Sequence, residues 1–212
     1  MITKHRRYNK KRKGGEQRRV RTQTRHRYQF ITNHRTYRIQ KSRTEAILHP
    51  VQSDEEAAEL AKAYITEDKQ IEGERWRYIR GYSSYIISDY GRIMGTSDHK
   101  LKSCDYKYRI VNGKKVYTSV QTRLYDDRGH LTNVYVHRLV AATFIKNTDR
   151  VHRFDVHHIN VNPIDNRAVN LMWVSRAEHK DIHAEIRKLD SKATFDDLKQ
   201  IAESIAGKQI IF

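Results

Sequence analysis

Apolar and polar positions change period along the chain, and the changes divide it into elements. Ala57, Leu60, Ala61 and Tyr64 fall at helical spacing behind Ser53 and Glu56, which match a capping box. Asp54, Glu55, Glu56 and Glu59 load the first turns of that helix, where its dipole favours negative charge. From residue 74 to 136 the pattern reads as β. Asn112-Gly113 lies between Tyr108-Arg109-Ile110-Val111 and Val116-Tyr117, a strong hairpin signal. Over residues 116–125, Val116, Thr118, Val120, Thr122 and Leu124 share one face, and Tyr117, Gln121, Arg123 and Tyr125 the other. Asp126-Asp127-Arg128-Gly129 turns the chain into residues 131–136. The pattern predicts a small antiparallel sheet, followed by a short apolar helix over residues 137–145. The Tyr and Arg face of that sheet reads equally as a surface for DNA or as packing.

The next stretch carries the chemistry. Residues 154–158 alternate as a strand, Asn160, Asn162, Pro163, Asp165 and Asn166 form a dense turn cluster, and residues 171–174 form a second short apolar run. Ser175 with Glu178 matches a second capping box, and Ile182, Ile186 and Leu189 stripe the helix behind it. The prediction is strand, loop, strand, helix. His179 and His183, four apart, share a helical face, while His157 and His158, adjacent on a strand, point to opposite sides. A helix packed on the hairpin could bring His157 beside His179 and His183, and three His ligands leave an open position on a metal. Two His at this spacing are by themselves more often a solvated face. The further histidines His137 and His152 read as structural or exposed. Thr194 with Asp197 makes a third capping box before Leu198, Ile201, Ala202 and Ile205, and Gly207 is a natural stop. One helix there is too little for a helix-turn-helix, so packing or dimer contact is its expected use.

Charge changes the picture more than composition does. The 212 residues are 37% hydrophobic and 32% charged, with a net charge of +17 and a pI near 10. Such a balance favours a polyanion partner, nucleic acid before an acidic membrane. Residues 1–50 hold only two acids, Glu16 and Glu45. Their basic runs, Lys10, Lys11, Arg12, Lys13 and then Arg18, Arg19, Arg21, predict an arm that is partly disordered when free and neutralises phosphates without reading sequence. A solubilising tail or a localisation signal fits the same residues. One cysteine, Cys104, excludes an internal disulfide and a Cys-based zinc ribbon. No apolar run approaches a membrane span and no secretory signal is seen, so a cytoplasmic protein is expected.

The combination of His157-His158, Asn170-Leu171-x-Trp173, and Glu178-His179 with His183 resembles the core of HNH endonucleases, the ββα-metal fold. The Asn-rich loop is similar to that of phage and intron-encoded homing endonucleases. Residues 136–145 resemble the segment preceding that core. Trp76, Gly81-Tyr82, Tyr85-Ile86-Ile87-Ser88 and Gly91-Arg92-Ile93 resemble a nuclease-associated module of the same enzymes. The resemblance spans about residues 72–188. It implies that His158 is the general base, that Asn170 holds its imidazole, and that His157, His179 and His183 are metal ligands. Many homing members have Asp at the position of His157 and Asn at that of His179. Imidazole suits zinc-like transition metals and magnesium prefers oxygen, so the one divalent ion expected is Mg, Mn or Zn.

The expected fold is α+β. A basic arm (1–50) and a helical linker (51–73) lead to a β-rich nuclease-associated module (74–136). The HNH ββα-metal core (137–189) and a C-terminal helix (190–212) follow. The expected function is metal-dependent hydrolysis of DNA phosphodiesters by a monomer or homodimer of phage or mobile-element origin, acting on double-stranded DNA, with RNA left open. The rival reading is a non-enzymatic, basic nucleic-acid-binding protein, ribosome- or nucleoid-associated, with a structural metal site.

Overall fold

The computed structural model describes residues 50–189 and 192–212. The basic runs at Lys10–Lys13 and Arg18–Arg21, and with them the arm reading, lie outside the described residues. The described fold is α+β, with short antiparallel sheets and four α-helices.

Helix α1 (Asp54–Tyr64) starts at Ser53, whose hydroxyl accepts from the Glu56 N–H. The return bond differs from the expected box, because the Glu56 carboxylate reaches the N–H of Gln52, one residue further back. Ala57 and Ala61 are buried, and with Val51 and Ile65 they close over Trp76, Ile86 and Met94. The small side chains let the helix approach the sheet, so α1 is packed onto the β-rich part. Tyr64, expected on the same face, is half exposed and stacks flat on His99 at 3.6 Å between ring centroids.

The β region is two sheets, where the sequence pattern predicts one. The first runs β1 (Trp76–Tyr78), β2 (Tyr85–Ser88), β3 (Ile93–Gly95), antiparallel in that order. Ile86 and Ile87 are both fully buried although they point to opposite faces, because α1 covers one face and the main core the other. After β3 the chain turns back on itself: Gly95 donates to Lys100 O, Lys102 to Ile93 O, and Met94 bridges Leu101. That turn uses up the free edge of β3 before the next strand begins, which splits the region.

The second sheet is β4 (Asp105–Val111), β5 (Lys114–Tyr125), β6 (Leu131–Tyr135). Asn112 and Gly113 both have positive φ, 51° and 74°, the type I′ turn that their sequence predicts. The pairing of β4 with β5 slips at Lys107/Tyr108, where Lys107 faces Ser119 and Tyr108 faces Tyr117. Thr118 is thus the extra residue of a bulge. The expected common face is therefore broken: Val120, Thr122 and Leu124 are buried, while Thr118 and Val116 are exposed. The outer half of the hairpin stands clear of the core on both faces.

Helix α2 (Val136–Phe144) follows β6 without a loop and begins one residue earlier than expected. Its Val136, Val140, Ala141 and Phe144 form the middle of the main core, against Ile79, Ile87, Ile93, Leu124, Leu171 and Trp173. Strands β7 (Asp155–His158) and β8 (Leu171–Val174) pair antiparallel, with His157 opposite Met172 and His158 opposite Leu171. Helix α3 (Arg176–Ile186) opens on the reciprocal Ser175–Glu178 capping box. Helix α4 (Phe195–Ala206) opens on the Thr194–Asp197 box and ends at Gly207, φ 74°. Ala202 and Ala206 of α4 meet Ile182 of α3 and Ile159, Met172 and Val174 of the hairpin, so α4 backs the ββα unit. The tail beyond α4 is tied down as well: Gln209 bonds both backbone groups of Trp173, and Phe212 N–H donates to Phe144 O at 2.8 Å.

Candidate active site

Two elements carry the histidines. Strand alternation sends His157 and His158 to opposite faces of β7, and the i, i+4 spacing on α3 sends His179 and His183 to one face. The start of α3 is fixed by its capping box and by Arg153, whose guanidinium grips the Glu178 carboxylate at 2.6 and 3.1 Å. His157, His179 and His183 come together with ring centroids 4.9–5.2 Å apart. One nitrogen from each lies within 4.8 Å of the others. His157 is 1% exposed, and both its ring nitrogens are enclosed with no hydrogen-bond partner. Burial is usually tolerated only when polar atoms are paired, so an enclosed imidazole whose lone-pair nitrogen has no donor fits a metal ligand. Burial, reinforced by His183 and His179, pushes the His157 pKa down to about 3, which keeps one ring nitrogen free as a lone pair. His179 and His183 are also lowered, chiefly by burial.

His158 faces the other way. Its Nε2 lies 3.1 Å from Asn166 Oδ1. The Asn166 amide nitrogen donates to Ile164 O, which fixes Oδ1 as the atom facing the ring. His158 Nε2 must then carry the proton, and Nδ1 keeps a lone pair. Burial lowers the His158 pKa, against the opposing pull of the Asn166 bond and Asp165, so the ring is neutral at physiological pH.

Asn170 does not have the expected place. It is fully buried, but its Oδ1 accepts from Asn160 N–H at 2.9 Å, and its Nδ2 donates to Asn160 Oδ1 and Asp165 O at 2.8 Å. Asn160 in turn donates to Asp165, which Arg167 grips through two bonds of 2.8 Å. Asn170 therefore pins the β7–β8 loop, and the residue that meets the imidazole is Asn166. The loop is tight enough to hold Val161 at φ 58°, a conformation costly for a β-branched residue. The turn between β2 and β3 supports it from below: Ala168 N–H donates to Asp89 O at 2.7 Å. A Cβ on Gly91, φ 82°, would lie 3.2 Å from both Asn166 Cβ and Val136 Cγ1.

Of the two further histidines, His152 is exposed and bonded to Asp149, as expected. His137 is not peripheral. The first turn of α2 sets its ring edge-to-face on His158, 5.1 Å between centroids. It also lines an open cleft with Asp155, His179 and His183, rimmed by Arg138, Arg176 and Lys180. Burial, helped by His158 and Arg138, pushes the His137 pKa down to about 3. No spacing rule links residue 137 to residue 158; only the packing of α2 on the ββα unit joins them.

The chain is 34% identical over 101 residues to an uncharacterized HNH endonuclease of Acanthamoeba polyphaga mimivirus, a match covering 48% of this chain. About half of this chain is similar to an HNH endonuclease. The chain spans 23% of the length of that relative. A solved structure of DNA binding and cleavage by the HNH homing endonuclease I-HmuI is also similar, at 24% identity and a TM-score of 0.42. That similarity covers 61% of this chain and 66% of the other. No protein-family profile matches. His157, His179 and His183 are placed where they could hold a cation. No helix among the described residues is long and apolar enough to cross a membrane.

Proposed function

We propose that the chain is a metal-dependent endonuclease of HNH type that hydrolyses phosphodiester bonds in double-stranded DNA. The observation that carries this reading is the pairing of two unlike imidazole sites on one strand. His157 has two enclosed, unbonded nitrogens beside His179 and His183, and His158 has an acceptor nitrogen fixed by Asn166. A divalent ion held by the three histidines would supply electrophilic stabilisation of the phosphate and its leaving oxygen. His158 Nδ1 takes a proton from water as the water oxygen bonds to phosphorus; the P–O3′ bond breaks, and the 3′ oxygen is protonated by solvent. Arg138, Arg176 and Lys180 on the cleft rim suit the phosphate backbone. The exposed outer hairpin offers Lys107, Arg109, Lys114 and Lys115 with Tyr106, Tyr108 and Tyr117, which supports an extended nucleic-acid contact. The basic arm over 1–50 fits the same partner.

One such site cuts one strand, so a monomer nicks and a dimer can cut both. The viral relative fits a phage or mobile-element origin, with action in the cytoplasm of the host cell. Incubating supercoiled plasmid with the protein should convert it to open circle with Mn, Zn or Mg and not in excess chelator. His158→Ala should keep its bound metal and lose about 10²- to 10⁴-fold in rate, the usual worth of general-base catalysis. Full conversion in chelator, or an unimpaired His158→Ala, would overturn the reading.

A further inference from the structure

Among the described residues, the enclosed side-chain nitrogens and oxygens without a hydrogen-bond partner are three: both ring nitrogens of His157, and Nδ1 of His137. The metal site takes one nitrogen of each ring and so accounts for one of the two on His157. The third belongs to a residue that neither the metal site nor the general base uses.

Its environment favours one tautomer. A buried N–H without a partner is rarer and costlier than a buried acceptor without one. A proton on His137 Nδ1 would be such an orphan, so the ring carries its single proton on Nε2. A doubly protonated ring would bury the same orphan. The Nε2 edge is not enclosed in this way, and the ring lines the cleft that His179 and His183 also line. His137 is thus an uncharged N–H donor at the cleft. It lies in edge contact with His158 and has no acceptor of its own within the described residues. It is not a fourth ligand, since the nitrogens that cluster within 4.8 Å come from His157, His179 and His183 alone. Arg138, Arg176 and Lys180 outnumber the one carboxylate of the cleft, Asp155, which pairs with Arg176 at 3.4 Å; the rim is net positive, suits phosphate, and leaves His137 without a bonded acceptor.

We propose that His137 is a catalytic residue that donates from Nε2 to a non-bridging oxygen of the substrate phosphate on which His158 directs water. This rests on the proposed endonuclease activity. Because the ring is packed on His158 and stands on the first turn of helix α2, it is held before substrate arrives, so the bond costs little ordering when charge builds on the phosphate.

The test compares four variants by single-turnover nicking of plasmid at saturating protein, with metal content measured in each. His137→Leu removes the donor and is expected to cut about 10- to 100-fold more slowly with metal content unchanged. His137→Gln places an amide N–H near the reach of Nε2 and is expected to recover to within about fivefold of the parent. His137→Asn, whose amide reaches only the level of Nδ1, is expected to stay slow. His152→Leu, on the exposed surface, is the control and should match the parent. A parent that cannot nick with any divalent metal overturns the endonuclease reading and this proposal together. An active parent with an equally active His137→Leu overturns this proposal alone. So does a Gln variant as slow as Leu, which would make the ring a packing wall. Should His137→Leu fail to fold, the Gln and Asn pair decides: Gln fast and Asn slow supports the contact, and equal rates overturn it.

Discussion

Asn166 and Asn170 stand four residues apart on one loop, and their hydrogen bonds separate their roles. Asn166 fixes the proton on His158, whereas Asn170 closes the loop through Asn160 and Asp165. Asn170→Ala leaves the Asn160 N–H and the Asp165 carbonyl without partners, at about 1–3 kcal/mol for each buried group. The expected result is a lower urea midpoint, with any loss of rate following the loss of fold. Asn166→Ala frees the His158 ring to change tautomer and orientation, so its rate should fall more than its stability does. A stable Asn170→Ala with a slow cut, beside a fast Asn166→Ala, would restore the sequence-based assignment. The meeting of the three histidines was legible because strand and helix periods alone put His157, His179 and His183 where they can meet. The loop was not legible. Asn160, Asn162, Asn166 and Asn170 are chemically equivalent in the sequence, and which of them reaches the imidazole depends on a path bent through Val161 at positive φ.

At the scale of elements, local signals foretold local structure. The capping boxes at Ser175 and Thr194, the Asn112-Gly113 turn and the Gly207 stop are contacts within a few residues, and each is present. Tertiary matters were hidden: the bulge at Thr118, the division into two sheets, and the docking of α1. The β2–β3 turn shows how an element far from the histidines in sequence governs them. Gly91 adopts φ 82° directly beneath Asn166 and beside Val136, the first residue of α2. A Cβ there meets two contacts of 3.2 Å and a backbone conformation that costs an L-residue about 1–2 kcal/mol. Gly91→Ala is therefore expected to shift Asn166, lower the nicking rate, and spare metal binding, since the proposed ligands lie on β7 and α3. Isothermal titration with the metal alongside single-turnover cutting checks this. Gly73→Ala, also at positive φ (73°) but with open space around it and away from the proposed contacts, is the control that should leave the rate intact.

Across the whole molecule, two distributions matter, and only one was visible in the sequence. Of 42 Lys and Arg, 16 lie in residues 1–50 against two of 25 acids, so residues 1–50 hold +14 of the net +17 and residues 51–212 only +3. The second distribution is of uncharged histidines. His137 and His157 are held near pKa 3 in the fold by burial, and His158, His179 and His183 are lowered as well. Unfolded, each would titrate near 6.5. Between these values the unfolded chain binds more protons than the folded one, so stability is full above about pH 6.5 and falls as pH drops toward 3. His157 alone, neutral and 1% exposed, contributes a slope of about 1.4 kcal/mol per pH unit in that range. Carboxylates join only near and below their ordinary values of about 4, so the window from pH 6.5 to 5 reads the histidines separately. Urea unfolding in excess chelator should give a flat midpoint from pH 7.5 to 6.5 and a steady fall from 6.5 to 5. His157→Leu, which removes the largest buried contributor, should flatten that fall. Adding zinc should raise stability most above pH 6.5, because the ion competes with protons for the same lone pairs. A midpoint constant from pH 7.5 to 5 without metal would mean that these imidazoles titrate as solvated groups, and the enclosed site would then have no basis.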